Sequence, residues 1–165
     1  MNRRNPLLVL VFACSQAPHA PPLTLTPAKP LAPRTTSDSI VAAVLHKAVV
    51  NGLPNFRPRR RVVIRTDSGF VSAFSLPPLD SVEFVLLDSA QTQQLADQSG
   101  DLNVLIVPRP AIWGDTAKAS VMNRWVWQQR RDQVGIMVST SACQWRLRRL
   151  SGAWQIDSTL GCLIT

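Results

Sequence analysis

Any chemistry in this chain has to come from two histidines, three cysteines, ten acids and eighteen basic residues spread over 165 positions. Nucleophilic catalysis needs a histidine close to a serine or cysteine. His19 sits in a proline-rich stretch with no ligand-spaced neighbours, and His46 falls on the polar side of a helical pattern. There is no G-x-S-x-G, and the seven glycines are all isolated, so no phosphate-cradling loop is present. Asp97 to Asp101 has no glycine at the position a calcium loop requires and no terminal glutamate, and reads as a helix-ending turn. Asp80 and Glu83, beside Pro77-Pro78, read as a solvated pair. No catalytic residue, cofactor site or metal site is assigned. What remains are the cysteines and two arginine clusters. One cluster is Arg57, Arg59, Arg60 and Arg61, and the other is Arg146 and Arg148 with Arg149. Guanidinium forks suit phosphate or carboxylate. The clusters therefore read either as a solvated basic edge that discourages strand-to-strand aggregation or as an anion-binding patch.

The first thiol has a distinctive setting. Arg3 and Arg4 precede the apolar run Pro6 to Ala13, and Cys14 follows at once. This is the layout of a secretory signal. Eight apolar residues at about 1.5 Å each reach about 12 Å, against a hydrocarbon core of about 30 Å, which argues against a spanning anchor. Val11-Phe12-Ala13-Cys14 resembles a bacterial lipobox, with Phe12 bulkier than the usual occupant. The resemblance implies cleavage after residue 13 and diacylglyceryl modification of Cys14, with several acyl chains anchoring stably where one would not. Plain secretion and a buried N-terminal segment that is not a signal at all are the competing readings. Prolines after Ala17 and Ala20 make ordinary cleavage sites there poor, and the proline-rich tract separates the apolar run from any core.

The expected organisation is a leader at 1–13, a proline-rich tether at 14–36 and one domain at 37–165. The formal charge of +8 falls to +6 once Arg3 and Arg4 leave with the leader. A basic exported chain points to the membrane, through its lipid anchor, and to an anionic envelope component or envelope protein. No nucleic acid partner is expected. The location implied is the bacterial cell envelope, and Ser15 after the cysteine matches sorting to the outer membrane, facing the periplasm, where two membranes exist. With Cys14 lipidated, Cys143 and Cys162 are left to form a disulfide in an oxidising compartment or to stay as two buried thiols.

The elements that must position these groups follow from periodicity. Ile40, Val41, Val44, Leu45, Ala48 and Val49 recur at helical spacing, which predicts a helix over 38–50 capped by Ser37 or Asp38 and stopped by Asn51-Gly52. Val62 to Ile64 reads as a strand, and Phe70 to Ser75 as its partner across Asp67-Ser68-Gly69. Val82 to Leu87 is a strand or a helix entry. Asp88 or Ser89 caps a short helix closed by Gly100, whose one strongly apolar residue is Leu95. Strands are expected at 104–107, 117–127, 134–150 and 154–164. Within 117–127, Ala117, Ala119, Val121, Asn123, Trp125 and Trp127 share a face. A two-residue turn at Ser151-Gly152 pairs Leu150 with Ala153 and sets Cys143 opposite Leu160, with Cys162 its diagonal neighbour on the same face, so a bulge or disorder in register would close the gap and the bridge is reachable but not dictated. The five tryptophans are mostly core by parity, with Trp125 and Trp127 also candidates for an aromatic contact surface.

The fold class is α+β, an N-terminal helix packed on a curved, mainly antiparallel sheet with a C-terminal β-meander. This order resembles the cystatin-like and NTF2-like layouts, and the closing RLRRLSGAWQID resembles the last hairpin of small bacterial lipoproteins of unknown function. An NTF2-like sheet would imply a small-molecule or enzymatic pocket as the alternative to a binding or scaffolding domain.

Overall fold

A computed structural model describes residues 21–57, 60–67, 69–128 and 140–165. The expected leader, Cys14, His19, Arg59, Ser68 and the start of the 134–150 strand lie outside the described residues. The class is α+β: among the described residues there are two α-helices and a seven-stranded mixed sheet that does not close on itself.

Helix α1 spans Thr36–Asn51 and starts earlier than the apolar pattern implies, because Thr35 is its cap. The Thr35 hydroxyl accepts from the Asp38 N–H at 3.1 Å, and the Asp38 carboxylate accepts from the Thr35 N–H at 3.0 Å. This reciprocal box satisfies two donors that the first turn leaves free. Asp38 therefore lies inside the helix, where it also accepts from the buried Ser75 hydroxyl at 2.9 Å. Gly52 ends the helix with φ 77, a conformation that favours glycine. His46 is exposed.

Strand β1 (Arg61–Arg65) has no antiparallel partner at 70–75, contrary to the sequence expectation. That segment instead holds a 3-10 turn, Ala73–Ser75, started by the Ser72 hydroxyl. The alternation of FVSAFS is matched by its packing, since Phe70 and Val71 touch the core, but its N–H groups do not pair with β1. The chain crosses over and returns as β2 (Glu83–Leu87), parallel to β1. Helix α2 (Ser89–Ser99), capped by Asp88 and closed by Gly100, leads to β3 (Leu102–Ile106), parallel to β1 on its other side. Then β4 (Ala111–Trp113), β5 (Thr116–Val126), β6 (Thr140–Leu150) and β7 (Ala153–Ile164) pair antiparallel, in the order β2-β1-β3-β5-β6-β7, with β4 on β5.

Burial separates the two halves of this sheet. The parallel strands are covered on both faces, which is why VVI, FVLL and VLIV are continuous apolar runs. One face meets α1 through Val62, Ile64, Phe84, Leu105 and Val107. The other buries Val63, Val85, Leu87 and Val104 against Leu95 of α2. Because α2 supplies so little apolar surface, Leu23 and Leu25 complete this second layer. The described part of the proline-rich segment thus lies along the domain. Ala28 donates to Phe84 at 2.7 Å and covers the outer edge of β2, and the Leu23 N–H bonds Gln98 at 3.0 Å. Residues 23–28 therefore supply none of the reach expected of the tether.

Among the described residues a helix covers the antiparallel half on the α1 side, and on the other side only where Val126 of β5 meets the α2 layer. Ala117, Ala119 and Val121 of β5 and Cys143, Trp145 and Leu147 of β6 point to α1, and the small alanines leave room for the helix. Trp145 is buried and Trp154 half-buried, but Trp113 and Trp125 are 60% and 39% exposed, against the parity expectation. Trp113 sits on the short outlying strand β4, and Trp125 lies where β5 runs on past the last residues of β1 that pair with β3.

The hairpin turn pairs Leu150 with Ala153 as expected, but two irregularities follow, between Arg146 and Leu147 and between Gln144 and Trp145. Each skips one residue of β7, first Asp157 and then Leu160. Two skips preserve the facing and move Cys162 into register opposite Cys143, with Cα atoms 4.1 Å apart and the pair at disulfide distance. Leu160 does not share the inner face and is 42% exposed.

Candidate functional site

The structure keeps the two arginine clusters apart. Arg57, Arg60 and Arg61 lie at the start of β1, whereas Arg146 and Arg148 lie on β6, three strands away and near the other end of β5. At about 3.3 Å per residue and 4.8 Å per strand the separation is on the order of 30 Å. They cannot form one patch. Arg59 falls outside the described residues.

In the first cluster, Arg60 and Arg61 share Glu83 of the neighbouring strand at 3.2 and 3.4 Å. Both pairs are solvent-facing, and such pairs contribute little to stability. Glu83 is thereby committed to arginine, not to Asp80. Arg57 and Arg61 also border a cavity of about 260 Å³ where β1 and β3 diverge, lined further by Phe56, Asp101, Asn103 and Trp125. Pairing of β1 with β3 is confined to Val63–Val104 and Ile64–Leu105, so the two strands open toward their starts. Asp101 accepts from the Gln128 N–H at 2.9 Å.

This corner contains two polar residues where the strands would otherwise continue the core. Asn103 follows the parity of Leu105 and Val107 on β3, and Asn123 follows that of Val121 on β5. The side-chain oxygens of both are buried and have no hydrogen-bond partner among the described residues. Leaving such an acceptor unsatisfied costs about 1–3 kcal/mol. Neighbouring Ser141, opposite Asn123, is satisfied by donating to the Pro54 carbonyl. The sequence signal was available, since an asparagine interrupts two otherwise apolar faces.

The second cluster is part of a larger surface. On β5, Lys118, Ser120, Met122 and Arg124 alternate with the core residues and face away from α1. Register places Arg146 beside Lys118 and Arg148 beside Thr116. Lys118, Arg146 and Arg148 are exposed on the face turned away from α1, and Arg124 is exposed at the end of that face where α2 meets β5. The acid at this surface is Asp157, the skipped residue of β7, held by Arg148 at 3.5 Å. Sequence reading missed Lys118 and Arg124, although both lie at the outward positions of a strand whose inner face it identified.

Between α2 and β5 this surface runs into a cavity of about 190 Å³ bordered by Arg65, Gln93, Arg124 and Trp127. Here Arg65 is engaged by Asp67 at 3.2 Å, and Asp67 in turn accepts from the Ser89 N–H at 3.1 Å and from its hydroxyl. The hydrogen bond from the Ser89 hydroxyl, which outweighs the opposing desolvation, and then Arg65 hold the Asp67 carboxyl well below the usual carboxylate range. The start of α2 therefore already has its anion, an internal carboxylate.

Among the described residues no three acids, histidines or cysteines are grouped so as to hold a metal, and no helix is long and apolar enough to cross a membrane. No known protein family, curated protein or solved structure matches the chain.

Proposed function

We propose that this is an exported lipoprotein, anchored through Cys14 to the bacterial envelope, whose domain binds an anionic envelope component through the open face of its antiparallel strands. The anchor rests on the lipobox-like Val11-Phe12-Ala13-Cys14 and the arginines before it. The observation that carries the binding role is the sheet face turned away from α1, where Lys118, Arg146 and Arg148 are set against Asp157 and Arg124 is exposed at the edge of α2. Four cations spread over two adjacent strands suit a ligand with several phosphate or carboxylate groups. The proposal takes the domain as an N-terminal helix packed on a curved, mainly antiparallel sheet closed by a β-meander. A helix covering the other face leaves this one available.

Fatty-acid labelling and membrane fractionation of wild type beside Cys14→Ala test the anchor, with loss of label and of membrane association expected. Co-sedimentation of the Cys14→Ala chain with vesicles of phosphatidylglycerol and phosphatidylcholine tests the surface. Binding should rise with the anionic fraction, fall with salt as screening predicts, and drop at least tenfold in Lys118→Glu/Arg146→Glu. Equal binding by that variant would remove the sheet face from the proposal.

A further inference from the structure

We infer that the basic sheet face docks on the anionic lipid bilayer itself, with Trp113 and Leu150 entering the boundary between headgroups and acyl chains. This rests on the export and sheet-face reading above and names its ligand. Two hairpin turns meet at one end of the sheet, Gly114-Asp115 between β4 and β5 and Ser151-Gly152 between β6 and β7. The Arg149 N–H donates to the Asp115 carbonyl between them at 2.9 Å. Opposed residues of antiparallel strands share a side of the sheet. Register therefore sets Trp113, Thr116 and Arg148 in one row on the side turned away from α1, and Ala111, Lys118 and Arg146 in the next. Leu150, two residues beyond Arg148, ends this face opposite Ala153. Trp113 and Leu150 are 60% and 51% exposed. At about 4.8 Å per strand and 3.4 Å per residue, each lies within about 10 Å of Arg148.

This composition fits a bilayer surface better than a soluble anion. A polyanion in solution would satisfy the basic residues but gives no reason to expose a tryptophan and a leucine beside them. At a membrane interface tryptophan takes the headgroup level, and long basic side chains meet lipid phosphates with their stems along apolar surface. On β4 to β7 and these two turns, Lys118, Arg124, Arg146, Arg148 and Arg149 outnumber the acids, Asp115 and Asp157.

The short tether sets the stance. The Gln94 and Gln98 amides donate to the Pro21 carbonyl at 2.9 and 3.2 Å, and the Gln128 amide donates to the Asp97 carbonyl at 2.8 Å. Pro21 therefore leaves the domain beside α2, on the same side of the sheet as the basic face and near the end of β5 away from Trp113. The seven steps from Cys14 to Pro21 span at most about 25 Å. Were the domain to stand upright on its two turns, the ten steps from Thr116 to Val126 would lift Pro21 about 35 Å above the surface. An acylated Cys14 excludes that stance and holds the side bearing α2 and the basic strands near the bilayer, where a high local concentration lets a weak contact dock.

The test uses the processed chain, residues 14–165 with Cys14→Ala, so that the apolar leader cannot bind lipid by itself. It is added to vesicles of phosphatidylglycerol and phosphatidylcholine with brominated acyl chains, and tryptophan quenching is read beside co-sedimentation. Trp145 is 3% exposed and Trp125 lies on the α1 side of β5, so Trp113 should carry most of the quenching. Trp113→Phe should remove more than half of it while binding stays within twofold, since phenylalanine also enters the interface. Trp113→Glu/Leu150→Glu should weaken co-sedimentation at least tenfold with an unchanged melting temperature, both positions being exposed. Undiminished quenching in Trp113→Phe, or wild-type binding by the double variant, would overturn the inference and leave the charge-dependent sheet-face reading in place. No binding at any anionic fraction would overturn both.

Discussion

Replacing both Cys143 and Cys162 with alanine should destabilise the domain by about 3 kcal/mol. A bridge across 19 positions closes a loop for which the chain-entropy relation gives a value of that size. Cys143 is 4% exposed and small, so its loss to alanine adds little through packing. The bridge also selects a register. From Leu150–Ala153, an unbroken ladder would set Cys143 opposite Leu160, and only the skips at Asp157 and Leu160 bring Cys162 across. Without the bond, β7 is free to take the unbroken register and bury Leu160, now 42% exposed, which offsets part of the loss. A net loss of about 2–3 kcal/mol remains, equivalent to roughly 6–15 °C in Tm for a domain of this size. Thermal and urea unfolding of wild type, wild type with reductant and the double variant measure this, with thiol alkylation and mass spectrometry counting free cysteines. Hydrogen exchange at residues 158–164 should report the register change. The reasoning is refuted if both thiols alkylate in protein refolded under oxidising conditions, or if the double variant unfolds within 0.5 kcal/mol of the bridged protein, about the scatter of ordinary surface substitutions.

Acid should weaken the protein through Asp38 and Asp67. Burial raises the Asp38 pKa, but hydrogen bonds from Thr35, Ser75 and the Thr35 and Arg34 N–H groups outweigh it and lower the value below 3.8, while Asp67 is lowered further. A depressed folded-state pKa contributes stability that is present above the unfolded value and lost as pH falls through the folded one. Stability should therefore decline below about pH 4, and Asp38→Asn should flatten that decline in pH-dependent urea unfolding. At Gly69 an added Cβ would lie 2.9 Å from the Arg65 carbonyl and 3.1 Å from that of Val107, both backbone atoms. Gly69→Ala should destabilise by about 1–3 kcal/mol, read by thermal unfolding, and an unchanged Tm would mean that the loop moves freely away from β3.

Much of the architecture was legible because burial imposes its own period. The stripe from Ile40 to Val49 could only be a half-buried helix, and the alternation in CQWRLR a strand with one wet face. The continuous runs VVI, FVLL and VLIV carried a further message, strands covered on both sides, that points to a parallel arrangement. The pattern alone offers β1 the wrong partner, because FVSAFS alternates like a strand. That alternation reflects two residues packing on a core beside a 3-10 turn, and local periodicity does not distinguish the two. Leu23 and Leu25 looked like tether because prolines surround them, whereas their role arises from the shortage of apolar surface on α2.

The amino-acid sequence by itself determined the α+β class, the stop signals of both helices and the start of α2, the turn at Ser151-Gly152 and the presence of two arginine clusters. These are local matters of propensity, capping and side-chain period, decided within a few residues. Only the tertiary structure decided that the clusters lie about 30 Å apart, since that depends on strand order. It also decided that Lys118 joins Arg146 and that the oxygens of Asn103 and Asn123 are buried without a partner among the described residues. Register did the same for the cysteines: two skipped residues on β7, invisible in composition or period, bring Cys162 across from Cys143. Strand order and register are properties of long-range pairing, where the free energy lies in contacts between segments and not within any one of them.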